Sequence, residues 1–374
     1  MLQQRPIKID ARTAICLCIV ACIAACGTDQ AGNVNDAGAE QVFHWKLVTA
    51  WPPNLPVNQE VVTEFAEDIA IMSRGQMTIQ VYAGGELIPS LEVFDAVSNG
   101  TAVQMGHSAS YYWAGKVPAA QYMSAVPFGL TARGMLAWMY GGDGLALWRE
   151  LYAPFDLVPF PMGNTGTQMG GWFNKRVDSV ADLKGLKMRI PGLGGKALAK
   201  AGGNPVLLSG GEVYTSLERG NIDATEWVGP LHDVRFGLDR AAQYYYYPGW
   251  HEPSTQLELI VNKRAWESLP EHLQRIIERA AAAAGVDLHS RMEAENARVF
   301  EELRESGHVE MVPFPQEVLA ALHASAGEAL DAEAQKDAKF REVRENYQAF
   351  RKTFEAWDEI TEGAYRQFYN RARD

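Results

Sequence analysis

Four short segments between Gln168 and Pro253 gather the side chains best able to do chemistry. They read Q-M-G-G-W-F-N-K (168–175), G-L-K-M-R-I-P-G (185–192), G-N-I-D-A-T-E-W (220–227) and Y-Y-Y-Y-P-G-W-H-E-P (244–253). Arg189 stands just ahead of Pro191, where the backbone is held extended. Its guanidinium offers a planar fork that matches a carboxylate. Glu226 and Glu252 each lie beside a tryptophan, an apolar setting in which a lone carboxylate is costly and tends to protonate. A hard cation offsets that cost. Two carboxylates, the amide oxygen of Gln168 and a backbone carbonyl make the oxygen-rich shell that calcium takes. Two glutamates balance calcium better than sodium, but sodium stays open. So does a plainer arrangement, in which one glutamate pairs with Arg189 and the other faces solvent. The aromatics Tyr111, Tyr112, Trp113, Phe128, Trp172, Trp227 and Trp250 can line a cleft for a small ligand. Tyr112 is favoured because it follows Gly106-His107-Ser108 at the end of a predicted strand.

No nucleophile stands with its base. Residues 192–197 (G-L-G-G-K-A) lack the spacing and hydroxyl of a phosphate loop, and no G-x-S-x-G elbow occurs. His251-Glu252 is not H-E-x-x-H, since Thr255 takes the place of the second histidine. His107 and His251 are the only candidate bases. The set therefore points to a binder rather than an enzyme, with a small organic acid and a metal ion, calcium or sodium, as its ligands.

The elements that must position these residues follow from periodicity. Strands are predicted at 45–51, 77–82 and 103–108, alternating with helices at 58–72 and 90–99, which argues for a parallel α/β lobe. Residues 163–173 and 187–190 read as strands of a second lobe, with helices at 193–201 and 211–219. A strand at 256–262 returns to the first lobe. Long helices follow at 269–303, 315–326 and 332–372, the last carrying spaced aromatics that can pack on the body or on a partner. The expected fold is α/β and two-lobed, like periplasmic binding proteins, with hinge crossovers between lobes. Lobe 1 is expected to hold residues 43–158 and 250–314, lobe 2 residues 159–249, and a C-terminal helical region residues 315–374.

The chain has 374 residues, 47% of them hydrophobic, and a net charge of −12. Its acidic field opposes nucleic acid and makes any anion site depend on a local positive group. Arg5, Lys8 and Arg12 precede an apolar stretch at 14–25 that is too short to span a membrane. It ends in I-A-A-C-G (23–27), so residues 1–26 are expected to be a lipoprotein signal peptide ending at Cys26. Cleavage at Cys22 and an ordinary cleaved signal peptide are the alternatives. All four cysteines lie in this segment (Cys16, Cys18, Cys22, Cys26), which leaves no disulfide framework in the body. Residues 27–42 read as a flexible tether, and the expected location is periplasmic, anchored to the membrane through Cys26.

The run R-I-P (189–191), G-N-P-V (203–206) and G-E-V-Y-T-S-L-E-R-G-N-I-D-A (211–224) resembles the DctP-type solute-binding proteins of TRAP transporters, over essentially the whole body from about residue 43. Q-M-G-G-W-F, T-E-W-V-G-P and Y-Y-P-G-W-H-E resemble the branch that binds 2-oxo and 2-hydroxy monocarboxylates through a bridging metal. The resemblance implies that Arg189 grips the substrate carboxylate. It implies that Gln168, Glu226, the Trp227 carbonyl and Glu252 hold the metal, and that Asn164 and Tyr112 hydrogen-bond the substrate, with Phe128, Trp227 and Trp250 in the aromatic surround. It further implies membrane permease subunits as partners and a homodimer through the C-terminal helix. Two other readings stay open: a ligand-sensing lipoprotein, and a metal-dependent lyase or hydrolase of similar acids.

Overall fold

The computed structural model describes residues 41–372. The expected signal peptide, Cys26 and nearly all of the tether lie outside the described residues. Strands β1 (Phe43–Thr49), β2 (Met77–Tyr82), β3 (Met105–Ser108), β4 (Leu157–Asn164), β5 (Gly171–Phe173), β6 (Lys187–Arg189), β7 (Asn204–Val206), β8 (Ala224–Thr225), β9 (Tyr244–Tyr247), β10 (Gln256–Asn262) and β11 (Glu310–Pro313) form two sheets. The first runs β2-β1-β3-β10-β4 and the second β11-β9-β5-β8-β6-β7. Helices flank both sheets, so the molecule is α/β and two-lobed.

The expected parallel lobe holds for β2, β1 and β3, while β10 runs antiparallel to β3 and β4 because it arrives from the other lobe. Two boundaries differ from expectation. Strand β4 belongs to the first sheet rather than opening the second, because it pairs with β10 along its length and lies under the long helix Glu271–Ser306. Strand β11 pairs with β9 in the second sheet rather than closing the first. The 36-residue helix before it explains this: at ~1.5 Å per residue it carries the chain roughly 54 Å. Near its start Ala280, Ala281 and Ala284 are buried, and a Cβ on Gly285 would lie 3.1 Å from the Gly163 nitrogen, so small side chains let the helix approach β4 closely. Further along, Asn296 Oδ1 accepts from Leu231 N at 2.9 Å in the second lobe. One rod thus touches both halves.

The chain also crosses between the sheets at 165–170 and 248–255, and the two crossovers bond to each other. Thr165 N donates to Thr255 O at 3.0 Å, Gln168 N to Glu252 O at 3.3 Å, and Gly249 N to Gln168 O at 3.0 Å. A Cβ on Gly249 would stand 2.3 Å from Gln168 O, so the approach requires glycine.

The predicted helix at 332–372 is broken. Helix Gln316–Lys336 packs on helix Gly192–Lys200. Asp337 then caps the next helix, Ala338–Asp358, by accepting from Phe340 N at 3.0 Å. That helix returns to the first lobe, where Tyr347 OH accepts from Leu130 N at 2.7 Å. The aromatic stripe divides: Phe340 and Tyr347 are buried, whereas Trp357, Ile360, Tyr365 and Phe368 are exposed. No helix among the described residues is long and apolar enough to cross a membrane.

Candidate functional site

Arg189 ends β6, and its side chain is 1% exposed. Nη1 donates to Glu226 Oε1 and, at 3.2 Å, to the Glu226 carbonyl; Nε donates to Leu208 O at 3.3 Å. The guanidinium lies 4.7 Å over the Trp227 ring, a cation–π contact that holds its plane. Nη2 is buried and has no partner. Burial works to lower the arginine pKa, but facing Glu226 and its neighbours outweigh that and hold it above its ordinary value. The plainer arrangement is therefore half realised: Glu226 pairs with Arg189, but Glu252 does not face solvent.

Glu252 is 2% exposed and sits on the second crossover. Its Oε2 accepts from Gln168 Nε2 at 2.8 Å and from the Thr255 hydroxyl. Burial first, and then the charge of Glu226, push its carboxyl well above the usual range. Gln168 Oε1 is buried without a partner. His251 Nε2 lies 3.4 Å from Glu226 Oε2 but lacks hydrogen-bond geometry. The ligand atoms of Glu226, His251 and Glu252 all fall within 4.8 Å of one another. One arginine faces two buried carboxylates in a dry interior, where the second carboxyl resists ionising without a further cation. An orphaned amide oxygen beside it completes a donor set that fits a hard cation. His251 was expected to be no part of an H-E-x-x-H site and stood only as a candidate base; its place in the cluster follows from its being next to Glu252 on the crossover.

A narrow cavity of about 10 Å³, room for about one water molecule, adjoins this cluster, lined by Trp51, Asn58, Tyr111, Tyr112, Thr165, Gln168, Arg189, Trp227, Val228 and Leu257. A larger open groove between helix Asn58–Met72 and β2 shows no comparable convergence of buried polar groups. The cavity lies at the carboxyl ends of β1, β3, β6 and β8, where open α/β sheets bind ligands. Two anchors fix its first-lobe wall. Trp51 Nε1 donates to His107 Nδ1 at 2.7 Å, and His107 Nε2 meets Met162 O at 2.8 Å. Burial pushes His107 down to about 4, so it orients Trp51 as a neutral ring and does not serve as a base. The turn bearing Tyr111 and Tyr112 is pinned by Glu258, which accepts from Ser108 Oγ at 2.6 Å, Trp113 Nε1 at 2.6 Å and Tyr152 OH at 2.8 Å.

Of the expected residues, Arg189, Gln168, Tyr112 and Trp227 meet on the cavity wall, with Glu226 and Glu252 beside it. Asn164 ends β4; its Oδ1 accepts from Gly166 N at 2.9 Å, and its Nδ2 is buried without a partner. Phe128 and Trp250 do not line the cavity. Their rings pair at 5.8 Å, Phe128 N donates to Trp250 O at 2.8 Å, and both pack into the second-lobe core. Sequence reasoning missed Trp51, Asn58, Thr165 and Leu257. The available signal was position: Trp51 lies in the loop after β1, and Asn58 opens the helix that follows.

The model of the family described as bacterial extracellular solute-binding protein, family 7 (DctP), matches residues 47–337. The chain belongs to this family. As a family 7 member it is an extracytoplasmic solute-binding protein, a receptor and not an enzyme. Among its relatives is the monocarboxylate 2-oxoacid-binding periplasmic protein of Nostoc sp., 45% identical over 326 residues, covering 87% of this chain and 88% of that protein. The family 7 fold is matched by a TRAP periplasmic solute-binding protein from Colwellia psychrerythraea with bound calcium and pyruvate, at TM-score 0.85 and 41% identity, covering 87% of this chain and 99% of that one. It is matched too by one from Pseudoalteromonas atlantica with bound sodium and pyruvate, at TM-score 0.85 and 40% identity, covering 87% and 99%.

Proposed function

We propose that this family 7 protein is the receptor of a TRAP-type transporter. It captures a small 2-oxo or 2-hydroxy monocarboxylate, of the pyruvate and lactate class, and delivers it to membrane permease subunits. The carrying observation is a pair of orphaned atoms on one small buried cavity, the Arg189 Nη2 donor and the Gln168 Oε1 acceptor. The donor suits a carboxylate oxygen, and the acceptor suits a cation. In this reading Arg189 grips the substrate carboxylate. Gln168, Glu226, the Trp227 carbonyl and Glu252 would hold calcium or sodium, which would offset the charge of the glutamates, calcium more fully than sodium, and attract the acid. Tyr112 and Asn164 hydrogen-bond the acid, while Phe128 and Trp250 support the crossover from behind. The relatives with bound pyruvate, one with calcium and one with sodium, support both the ligand class and the cation. Lipidation of Cys26 would tether the receptor to the membrane, and the exposed C-terminal helix would join two copies.

The test is a thermal-shift screen of the mature protein against pyruvate, lactate and longer 2-oxo acids, with and without EDTA. A ligand at about 100 times its dissociation constant adds roughly 2.7 kcal/mol of native-state stability. We expect a clear rise in Tm with these acids that EDTA reduces if the ion is calcium and leaves intact if it is sodium. No shift with any of them would return the cluster to a structural role.

A further inference from the structure

One wall of the cavity is explained by neither the carboxylate nor the cation. Asn58 opens helix Asn58–Met72 and is 3% exposed. It lines the cavity, and its Oδ1 is buried without a hydrogen-bond partner. The backbone that delivers it is unusual. Val57 has φ 63° and ψ −56°, and Asn58 N donates to Pro56 O at 2.7 Å. That is a γ-turn of the positive-φ form, centred on a β-branched residue that strongly disfavours the region. Such strain persists only where the surroundings hold it, and it gathers at binding sites. Here Pro56 O also accepts from His232 Nε2 at 2.9 Å, from helix Pro230–Phe236 of the opposite lobe. The turn is clamped across the cleft while it presents Asn58 to the cavity.

The orphaned wall atoms sort by chemistry. Arg189 Nη2 is a donor and meets a carboxylate. Gln168 Oε1 shares its side chain with the contact to Glu252 and suits the cation. Asn58 Oδ1, in the lobe facing Arg189, is an acceptor and needs a donor. The anion of a 2-oxo acid such as pyruvate has none; a 2-hydroxy acid has its hydroxyl. We propose that Asn58 accepts a hydrogen bond from the ligand's 2-hydroxyl and so sets the balance between 2-hydroxy and 2-oxo acids. This rests on the monocarboxylate reading above. A site built to pair a substrate hydroxyl discriminates against analogues without one, because its own group is otherwise left unpaired.

The experiment is calorimetric titration of the calcium-loaded mature protein and its Asn58→Leu variant with L-lactate, pyruvate and 2-fluoropropanoate. The last matches lactate in size but has no donor. We expect the variant to lose at least about tenfold in lactate affinity relative to pyruvate and 2-fluoropropanoate, whatever the loss common to all three. Should the leucine variant fail to fold, Asn58→Ala is held to the same criterion. An equal loss for all three ligands, or a wild type that binds pyruvate but no lactate, overturns the assignment of Asn58 alone. A wild type that binds none of these acids overturns the receptor reading, and this inference with it.

Discussion

Arg189 divides its guanidinium between two duties: Nη1 satisfies Glu226, and Nη2 is left for a ligand. The division shapes how the residue must be tested. Arg189→Ala would strand a buried carboxylate at a cost of about 3–5 kcal/mol, so lost binding and lost folding would be confounded. Arg189→Lys keeps the charge and discards the fork. We expect it to fold, with pyruvate affinity reduced by about a hundredfold or more in calorimetry; unchanged affinity would remove Arg189 from the clamp. Glu252→Gln tests the cation in a different way. The variant should carry less calcium by elemental analysis, and with EDTA present it should be at least as stable as the wild type, because burial already disfavours the charged carboxyl. Calcium content equal to wild type would show that Glu252 is not a ligand. Arg189, Gln168, Glu226 and Glu252 were legible in the sequence because each stands among glycines, prolines and tryptophans that mark a special backbone or an apolar wall. Trp51 and Asn58 were not, since only the packing of the first strand-to-helix loop against the second lobe brings them to the cavity.

At the scale of elements, strands and helices with clear periodicity were readable: helix Asn58–Met72 and strands β2 and β10 fall at the expected residues. Sheet membership was not. The hydrogen bonds that place β4 beside β10 and β11 beside β9 are non-local and leave no trace in local pattern. Helix Pro230–Phe236 was also missed, being short, yet it anchors three segments through one carboxylate. Asp233 Oδ2 accepts from Trp172 Nε1 at 3.0 Å and Tyr245 OH at 2.7 Å, and Oδ1 accepts from Val228 N at 3.3 Å. Burial pushes this carboxyl up to about 7 in spite of those donors. A carboxyl raised above its unfolded value of ~3.9 adds most to stability below that value, and its contribution is lost as pH rises through the folded pKa. The slope within that window approaches about 1.4 kcal/mol per pH unit. Between pH 5 and pH 8, therefore, the stability of Asp233→Asn relative to wild type should move in favour of the variant, as read from urea midpoints. A difference that stays constant with pH would rule out Asp233 as the titrating group.

For the whole molecule, two lobes with paired crossovers were expected and are present. The C-terminal stripe was open to packing on the body or on a partner: Phe340 and Tyr347 serve the core, whereas Trp357, Ile360 and Phe368 remain on the surface. Burying that outer half between two copies removes apolar area from water without touching the cavity. If the proposed dimer forms through this face, the double variant Trp357→Glu, Phe368→Glu should be a monomer in light scattering where the wild type is a dimer, with pyruvate affinity unchanged. Equal mass for both proteins would remove these side chains from any self-association.

The cavity walls carry a kinetic consequence. Trp51, Asn58, Tyr111, Gln168, Arg189 and Trp227 are each under a tenth exposed, and they come from both lobes. An acid held between them is screened from solvent on the sides they form. Its departure must wait for the halves to part, so residence time has a floor set by the protein's own opening rate. Contacts that grip an acid also hold the halves together, so tighter acids would stay longer above that floor. A receptor of this kind acts as a timer as well as a trap, holding each captured molecule for an interval written into its hinges.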